Sequence, residues 1–257
     1  PPAAWWRPPP ERSFPLGTPW LAVPGPGAAE VRRNAERGFR AVTLPENPHK
    51  LDLPSVHSGW WDPILAACEE TDTVVCLHVG SSGMMPMPLD APMIELGATL
   101  FGALSLDACA NWLWSGVPVR FPDLKIAMSE GGIGWIPMLV DRLDYIVGHS
   151  GHGRKAWRAL GTDLSPSDVL RRNFWFCTID DPTSLAAAQQ AVGTDRLMVE
   201  VDYPHADSTW PETQSFLHDR LSGFPDADVA AITYANAASL FRWPLPPEPK
   251  PPLPPPA

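Results

Sequence analysis

The sequence has no apolar run long enough to cross a membrane as a helix, so no membrane-spanning segment is expected. Its first ten residues, Pro1 to Pro10, have no apolar core of the kind a secretory leader carries. Positive charge is scarce: 19 Lys and Arg face 29 Asp and Glu, a net charge of -10. A surface of that sign repels phosphate, so neither nucleic acid nor an anionic membrane is an expected partner. Cysteine is also sparse. Cys68, Cys76, Cys109 and Cys177 are widely separated and three of them sit in apolar runs, which reads as buried thiols in a reducing, cytoplasmic compartment. No internal repeat is visible.

Proline and tryptophan are abundant, at 33 and 12 residues. The prolines crowd the ends, where they deny helix and central strand. Residues 1–27 are therefore expected to be an irregular leader, read as a linker, an artefactual segment or a truncated start. Residues 244–257 are expected to be an extended tail. Hydrophobic residues make up 44% of the 257, enough for a sizeable core. Between the ends, short apolar runs alternate with helical patterns, the signal of parallel βα units. Five buried strands are predicted: Phe39 to Leu44, Thr73 to Val79, Leu124 to Met128, Asn173 to Ile179 and Arg196 to Val201. Helices are predicted at Ala28 to Arg37, Asp62 to Glu70, Ile94 to Ser115, Trp135 to Val147, Pro182 to Val192 and Pro225 to Phe241.

Polar residues recur where these strands end: Glu46, His78, Glu130, Asp180 and Asp202. In parallel α/β folds that edge is where active sites form. His78, between Leu77 and Val79, reads either as a neutral imidazole metal ligand or as a hydrogen-bonded core histidine. Asp202 reads as a ligand or general base, or as a turn cap. Glu130, ahead of a glycine pair, reads as a general acid or base, or as a structural carboxylate. His205 reads as substrate-facing. Asp180 and Asp181 read as an N-cap before Pro182. His149 and His152 fall in a glycine-rich segment read as a solvated loop, and the DRLD run from Asp141 as helix-surface charge.

Several segments together resemble the amidohydrolase-related family, which includes aminocarboxymuconate-semialdehyde and γ-resorcylate decarboxylases. FPDLKIAMSEGGIGWIP, from Phe121, is similar to the family's strand-six segment. LHVGSSG resembles its strand-five histidine motif and VEVDYPHADSTWP its strand-eight aspartate motif. GFRAVTLPENP with WDPILAACEE resembles its strand-four region, and NAASLF its closing helix. The resemblance runs from about Gly27 to Phe241. It implies an α/β chain carrying strands four to eight of a TIM-type (β/α)8 barrel, residues 28–243. It implies His78 and Asp202 as metal ligands, with Glu130, Asp202 and His205 as catalytic residues. Glu130 stands where several of the family's decarboxylases have a histidine. The implied metal is a divalent ion, zinc first and manganese second. The implied activity is hydrolysis or non-oxidative decarboxylation of a small carboxylated or cyclic substrate, in a possible homodimer. The family's strand-one pair, an acidic residue or His followed two positions later by His, has no counterpart before His78. That leaves a second expectation: an inactive fragment or degenerate paralogue without a complete metal site.

Overall fold

The computed structural model describes residues 14–245. Its centre is one sheet of six parallel strands in sequential order: β1 (Leu16–Gly17), β2 (Ala41–Leu44), β3 (Val74–His78), β4 (Ile126–Ser129), β5 (Phe174–Thr178) and β6 (Leu197–Val199). Each strand pairs only with its chain neighbours, with registers such as Leu44 against Leu77 and His78 against Ser129. Sequential parallel order, with a helical crossover between neighbours, is the wiring of a (β/α) barrel wall; a doubly wound sheet would reverse direction at a switch point. The α/β class read from the sequence is therefore observed, in an arrangement compatible with a TIM-like barrel.

The strand count differs from expectation by one. β1 lies inside the segment read as an irregular leader, and the helix Pro24–Glu36 begins there too. Two residues are too few to show a periodic pattern, and the prolines that suggested irregularity serve here as the helix's first turn, where a missing N–H costs nothing. Residues 1–13 and nearly all of the expected tail, 246–257, lie outside the described residues.

Both sheet faces are covered, as a parallel sheet requires. Val42, Leu44, Val75, Leu77, Ile126, Met128, Phe174, Phe176 and Leu197 pack into the main core under the helices. The alternate residues Ala41, Val74, Cys76, Ala127, Cys177 and Met198 form a second cluster with Leu240, backed by Phe14, Trp175 and Phe241. Small residues dominate this inner face, which leaves room for the C-terminal helix Asn236–Leu240 to lie across it. By the period of two, His78 continues the row of Val74 and Cys76, Ser129 that of Ala127, and Glu200 that of Met198. The inner face thus turns polar at its C-terminal edge.

Two predicted helices are divided. Ile94 to Ser115 becomes Met93–Thr99 and Phe101–Trp114, bent by 47°. The Thr99 hydroxyl takes the Glu95 carbonyl at 2.7 Å, and the Leu100 N–H is shared between Leu96 and Gly97 carbonyls, so the first helix tightens and stops. Pro225 to Phe241 runs through Asp226–Ala230, a π-helical stretch Ala231–Ala235 and Asn236–Leu240. The segment holding His149 and His152 is not a loop. His149 ends the helix Ile136–His149 and stacks on Tyr145 at 4.3 Å, while Ser150 caps the next helix, Gly151–Arg158, by accepting from Gly153 N–H. No single helix among the described residues is long and apolar enough to cross a membrane. All four cysteines are free and buried.

Candidate active site

β3 delivers His78, the turn after β4 delivers Glu130, and the turn after β6 delivers Asp202, all at the C-terminal edge of the sheet. His78 Nε2 lies 2.9 Å from Glu130 Oε1. Its Nδ1 faces the Val79 carbonyl oxygen at 2.8 Å, a group that only accepts, so Nδ1 carries hydrogen and Nε2 is the nitrogen offered to the site. This backbone anchoring is how metal-binding histidines are oriented. Glu130 also shares a hydrogen bond with the Asp202 carboxyl. The His78 and Asp202 paired by the resemblance are therefore brought to one rim, joined through Glu130.

Beyond Asp202 the chain of contacts continues. His205 Nδ1 lies 3.4 Å from Asp202 Oδ2 and 3.0 Å from Asp207 Oδ1. One ligand atom from each of Asp202, His205 and Asp207 falls within 4.8 Å of the others. Imidazole nitrogen and carboxylate oxygen are the donors that zinc and manganese take. This trio therefore fits a divalent ion in its chemistry, and His78, whose Nε2 faces Glu130 Oε1, offers the same kind of donor beside it without being one of the three.

Burial, first, and the neighbouring Asp202 carboxyl, second to the pull of His78, set the Glu130 carboxyl above the ordinary carboxylate range. His205 is raised by its hydrogen bond to Asp207 and by the Asp202 charge, and Asp207 is correspondingly lowered. Glu130 and Asp202 both sit in the left-handed region, at φ 61° and 54°. For a residue with a side chain that costs of order 1–2 kcal/mol.

What holds Glu130 there is Glu200, a residue the sequence reading passed over. The Glu130 N–H donates to Glu200 Oε2 at 2.6 Å, and the Cys177 thiol and Ser129 hydroxyl also bond this carboxyl. Burial raises the Glu200 carboxyl, while these three donors pull it back. A hydrogen bond to a charged group is worth about 1.5–3 kcal/mol, enough to offset the strain at Glu130. The available signal was the alternation in MVEVD, which sets Glu200 two residues before Asp202 on the same face.

Glu46, at the end of β2, is buried and does not join the contacts of this cluster. Its Oε1 accepts from the Gly80 N–H at 3.0 Å, and its Oε2 is buried with no hydrogen-bond partner among the described residues. Burial pushes its carboxyl up to about 7. Asp180 does not join the cluster either: it pairs with Arg220 at 3.0 Å. Neither Asp180 nor Asp181 is the N-cap: the helix Leu185–Val192 starts after Ser184 with no side-chain cap, and the Asp181 carboxylate is spent elsewhere, its Oδ2 accepting from the Thr178 hydroxyl and the Ile133 N–H.

The profile of the family described as Amidohydrolase matches residues 2–243. The chain belongs to the amidohydrolase family. Among solved structures it is similar to an amidohydrolase from Mycobacterium avium subsp. paratuberculosis, at 23% identity and TM-score 0.68 over 89% of this chain and 58% of that one. It is similar to 5-carboxyvanillate decarboxylase from Sphingomonas paucimobilis, at 23% identity and TM-score 0.69, covering 89% and 66%. It is also similar to dihydroxybenzoic acid decarboxylase from a Polaromonas species, crystallised with manganese and the inhibitor 2-nitroresorcinol, at 20% identity and TM-score 0.64, covering 86% and 66%. The family profile takes in most of the segment read as a leader, consistent with β1 being part of the fold. The chain spans 58% and 66% of the first two relatives' lengths.

Proposed function

We propose that this amidohydrolase-family chain is a metal-dependent enzyme that hydrolyses or decarboxylates a small cyclic or carboxylated molecule. The observation that carries the reading is the meeting of His78, Glu130 and Asp202 at the C-terminal edge of a sequential parallel sheet. His78 Nε2 and Asp202 would hold the ion, with His205 and Asp207 beside it. The relatives' manganese supports a divalent ion; zinc is the other ion these donors suit. Such an ion polarises a substrate oxygen or lowers the pKa of water. Glu130, its carboxyl raised above the ordinary carboxylate range by burial, would donate or receive the proton at the reacting atom, and His205 would relay it outward toward solvent. We further propose that the six strands are part of an eight-stranded barrel whose remaining strands this sequence does not supply, and that the chain pairs as a homodimer.

A second reading follows from the fraction of its relatives that the chain spans. Two ligands from the matched motifs fall short of the three protein ligands usual at a catalytic zinc. On this reading the chain is an inactive fragment or paralogue unless His205 and Asp207 complete the set. Titration calorimetry with Mn²⁺ and with Zn²⁺ separates the two. The active reading requires a single site that weakens at least about tenfold in both His78→Ala and Asp202→Asn. An ion bound equally well by both variants would remove it.

A further inference from the structure

One face of the helix Ile136–His149 is exposed and takes no part in the candidate site. The residues Ile136, Leu139, Val140 and Leu143 bury the opposite face in the core. Met138, Arg142, Tyr145 and His149 recur at helical spacing and form one exposed row. Met138 is 59% and Tyr145 54% exposed. The Arg142 guanidinium lies over the Tyr145 ring at 5.6 Å, and the His149 ring stacks on that ring at 4.3 Å. The row borders an open groove of about 710 Å³, lined by Pro137, Met138, Asp141, Arg142 and Tyr145 from this helix and by Ala187 from the helix Leu185–Val192.

Positive charge collects at the His149 end of the row. No acidic residue stands between Asp144 and Asp163, in a chain whose net charge is -10. The same interval supplies His149, His152, Arg154, Lys155 and Arg158, all exposed. Arg154 is joined to the end of the first helix through the carbonyls of Val147 and Gly148. Elsewhere Arg32, Arg120, Arg171, Arg220 and Arg242 are each paired with a carboxylate; among the described residues, Arg142, Arg154, Lys155 and Arg158 have none at ion-pair distance. Asp144 accepts from the Ser167 N–H and does not line the groove, so Asp141 is the groove's one carboxylate among the described residues.

A groove with apolar walls that runs into unpaired cations fits an occupant carrying both kinds of group. A bare anion would leave Pro137, Met138 and Ala187 facing water. A long polyanion would also lie against the acidic remainder of the surface. A second copy docked through the same row, as two-fold pairing requires, would set one basic row against another.

We propose that this row is a docking surface for an acidic peptide segment of another protein, one that carries an aliphatic or aromatic side chain among its carboxylates. The apolar side chain fills the groove at Met138 and Tyr145, and the carboxylates meet Arg142, Arg154, Lys155 and Arg158.

The test uses the full chain and a fluorescein-labelled, capped peptide of glutamates around a central Leu-Trp pair, followed by fluorescence anisotropy near pH 7. The peptide should bind saturably, at least about tenfold more tightly than the same peptide with lysine in place of glutamate. Its affinity should fall as ionic strength rises, because the cations it meets are exposed. Lys155→Glu/Arg158→Glu should weaken it at least about tenfold. Met138→Ser/Tyr145→Ser should weaken it several-fold and leave its salt dependence in place. Either double variant decides on its own should the other fail to fold. Absence of saturable binding, equal binding of the lysine peptide, or a folded variant of either kind that keeps full affinity would each overturn the proposal. Tighter binding of heparin or of phosphatidylserine vesicles than of the peptide would overturn it in favour of a polyanion surface. Salt-sensitive self-association in sedimentation velocity, lost in Lys155→Glu/Arg158→Glu, would overturn it in favour of a second copy.

Discussion

The imidazole of His78 is held between two oxygens, the Val79 carbonyl at 2.8 Å and Glu130 Oε1 at 2.9 Å. Nδ1 must carry hydrogen to face a carbonyl, so the contact between Nε2 and Oε1 contains a shared proton. An ion ligated by Nε2 cannot coexist with that proton. Binding of a divalent cation at His78 should therefore release protons, as metal binding to protonated ligands does. Calorimetry in buffers of differing ionisation enthalpy should show release of about one proton per Mn²⁺ near pH 7. Glu130→Gln should release less, because the amide holds no acidic proton to surrender. Proton-neutral binding in the wild-type chain would contradict the arrangement.

Glu200 should stabilise the turn that carries Glu130. Glu200→Ala leaves three donors, the Glu130 N–H, the Cys177 thiol and the Ser129 hydroxyl, without their acceptor. The expected cost is about 2 kcal/mol, or a fall in Tm of roughly 4–8 °C. Glu200→Gln retains one acceptor oxygen and should recover about half of the loss. If both variants melt with the wild type, Glu200 is not holding the turn.

Glu46 predicts a pH effect of definite sign. Its carboxyl is ordinarily near 4.5 and is pushed to about 7 by burial in the folded chain. As pH climbs through that window the unfolded chain loses the proton and the folded chain keeps it. Stability contributed at this position therefore falls between about pH 4.5 and pH 7 and stays low above it. Glu46→Gln cannot ionise, so its advantage over the wild type should grow across the window and approach the order of 3 kcal/mol at pH 8. Denaturant melts of both proteins at pH 5 and pH 8 measure it; an advantage independent of pH would dismiss the assignment.

Strand positions were legible because buried parallel strands are nearly continuous apolar runs, as in TVVCLHV around His78 and NFWFCTI around Cys177. The polar edge was legible because His78, Glu130 and Asp202 each close such a run. β1 was not legible, since two residues between prolines carry no period. The break at Leu100 was hidden inside a helix-favouring apolar stretch, because it arises from the Thr99 hydroxyl competing for a backbone carbonyl. Glu200 looked like an ordinary polar residue within a strand; only its packing against Cys177 and the Glu130 turn reveals what it binds. The contact between His78 and Glu130 joins the end of β3 to the turn after the neighbouring β4, 52 positions apart in sequence, a number that spacing alone does not turn into a distance.

The approach of the helix Phe101–Trp114 to the Glu130 turn gives a sharp packing prediction. A Cβ at Gly131 would stand 1.7 Å from Ser105 Oγ and 2.4 Å from Ser105 Cβ. Gly131→Ala must therefore push the helix away from the turn, at an expected cost of about 2–3 kcal/mol, the upper range for overpacking. Trimming the hydroxyl alone does not make room, because the Ser105 Cβ remains in the way. Ser105→Gly does make room, while costing roughly 0.5 kcal/mol of helix propensity by itself. The double variant Gly131→Ala/Ser105→Gly should consequently be more stable than Gly131→Ala, although each change alone destabilises. Such a coupling requires direct contact between the two sites, and thermal melts of the four proteins close the cycle. Strictly additive losses would mean that the helix does not press on the turn, and that Gly131 beside Glu130 is not enforced by Ser105.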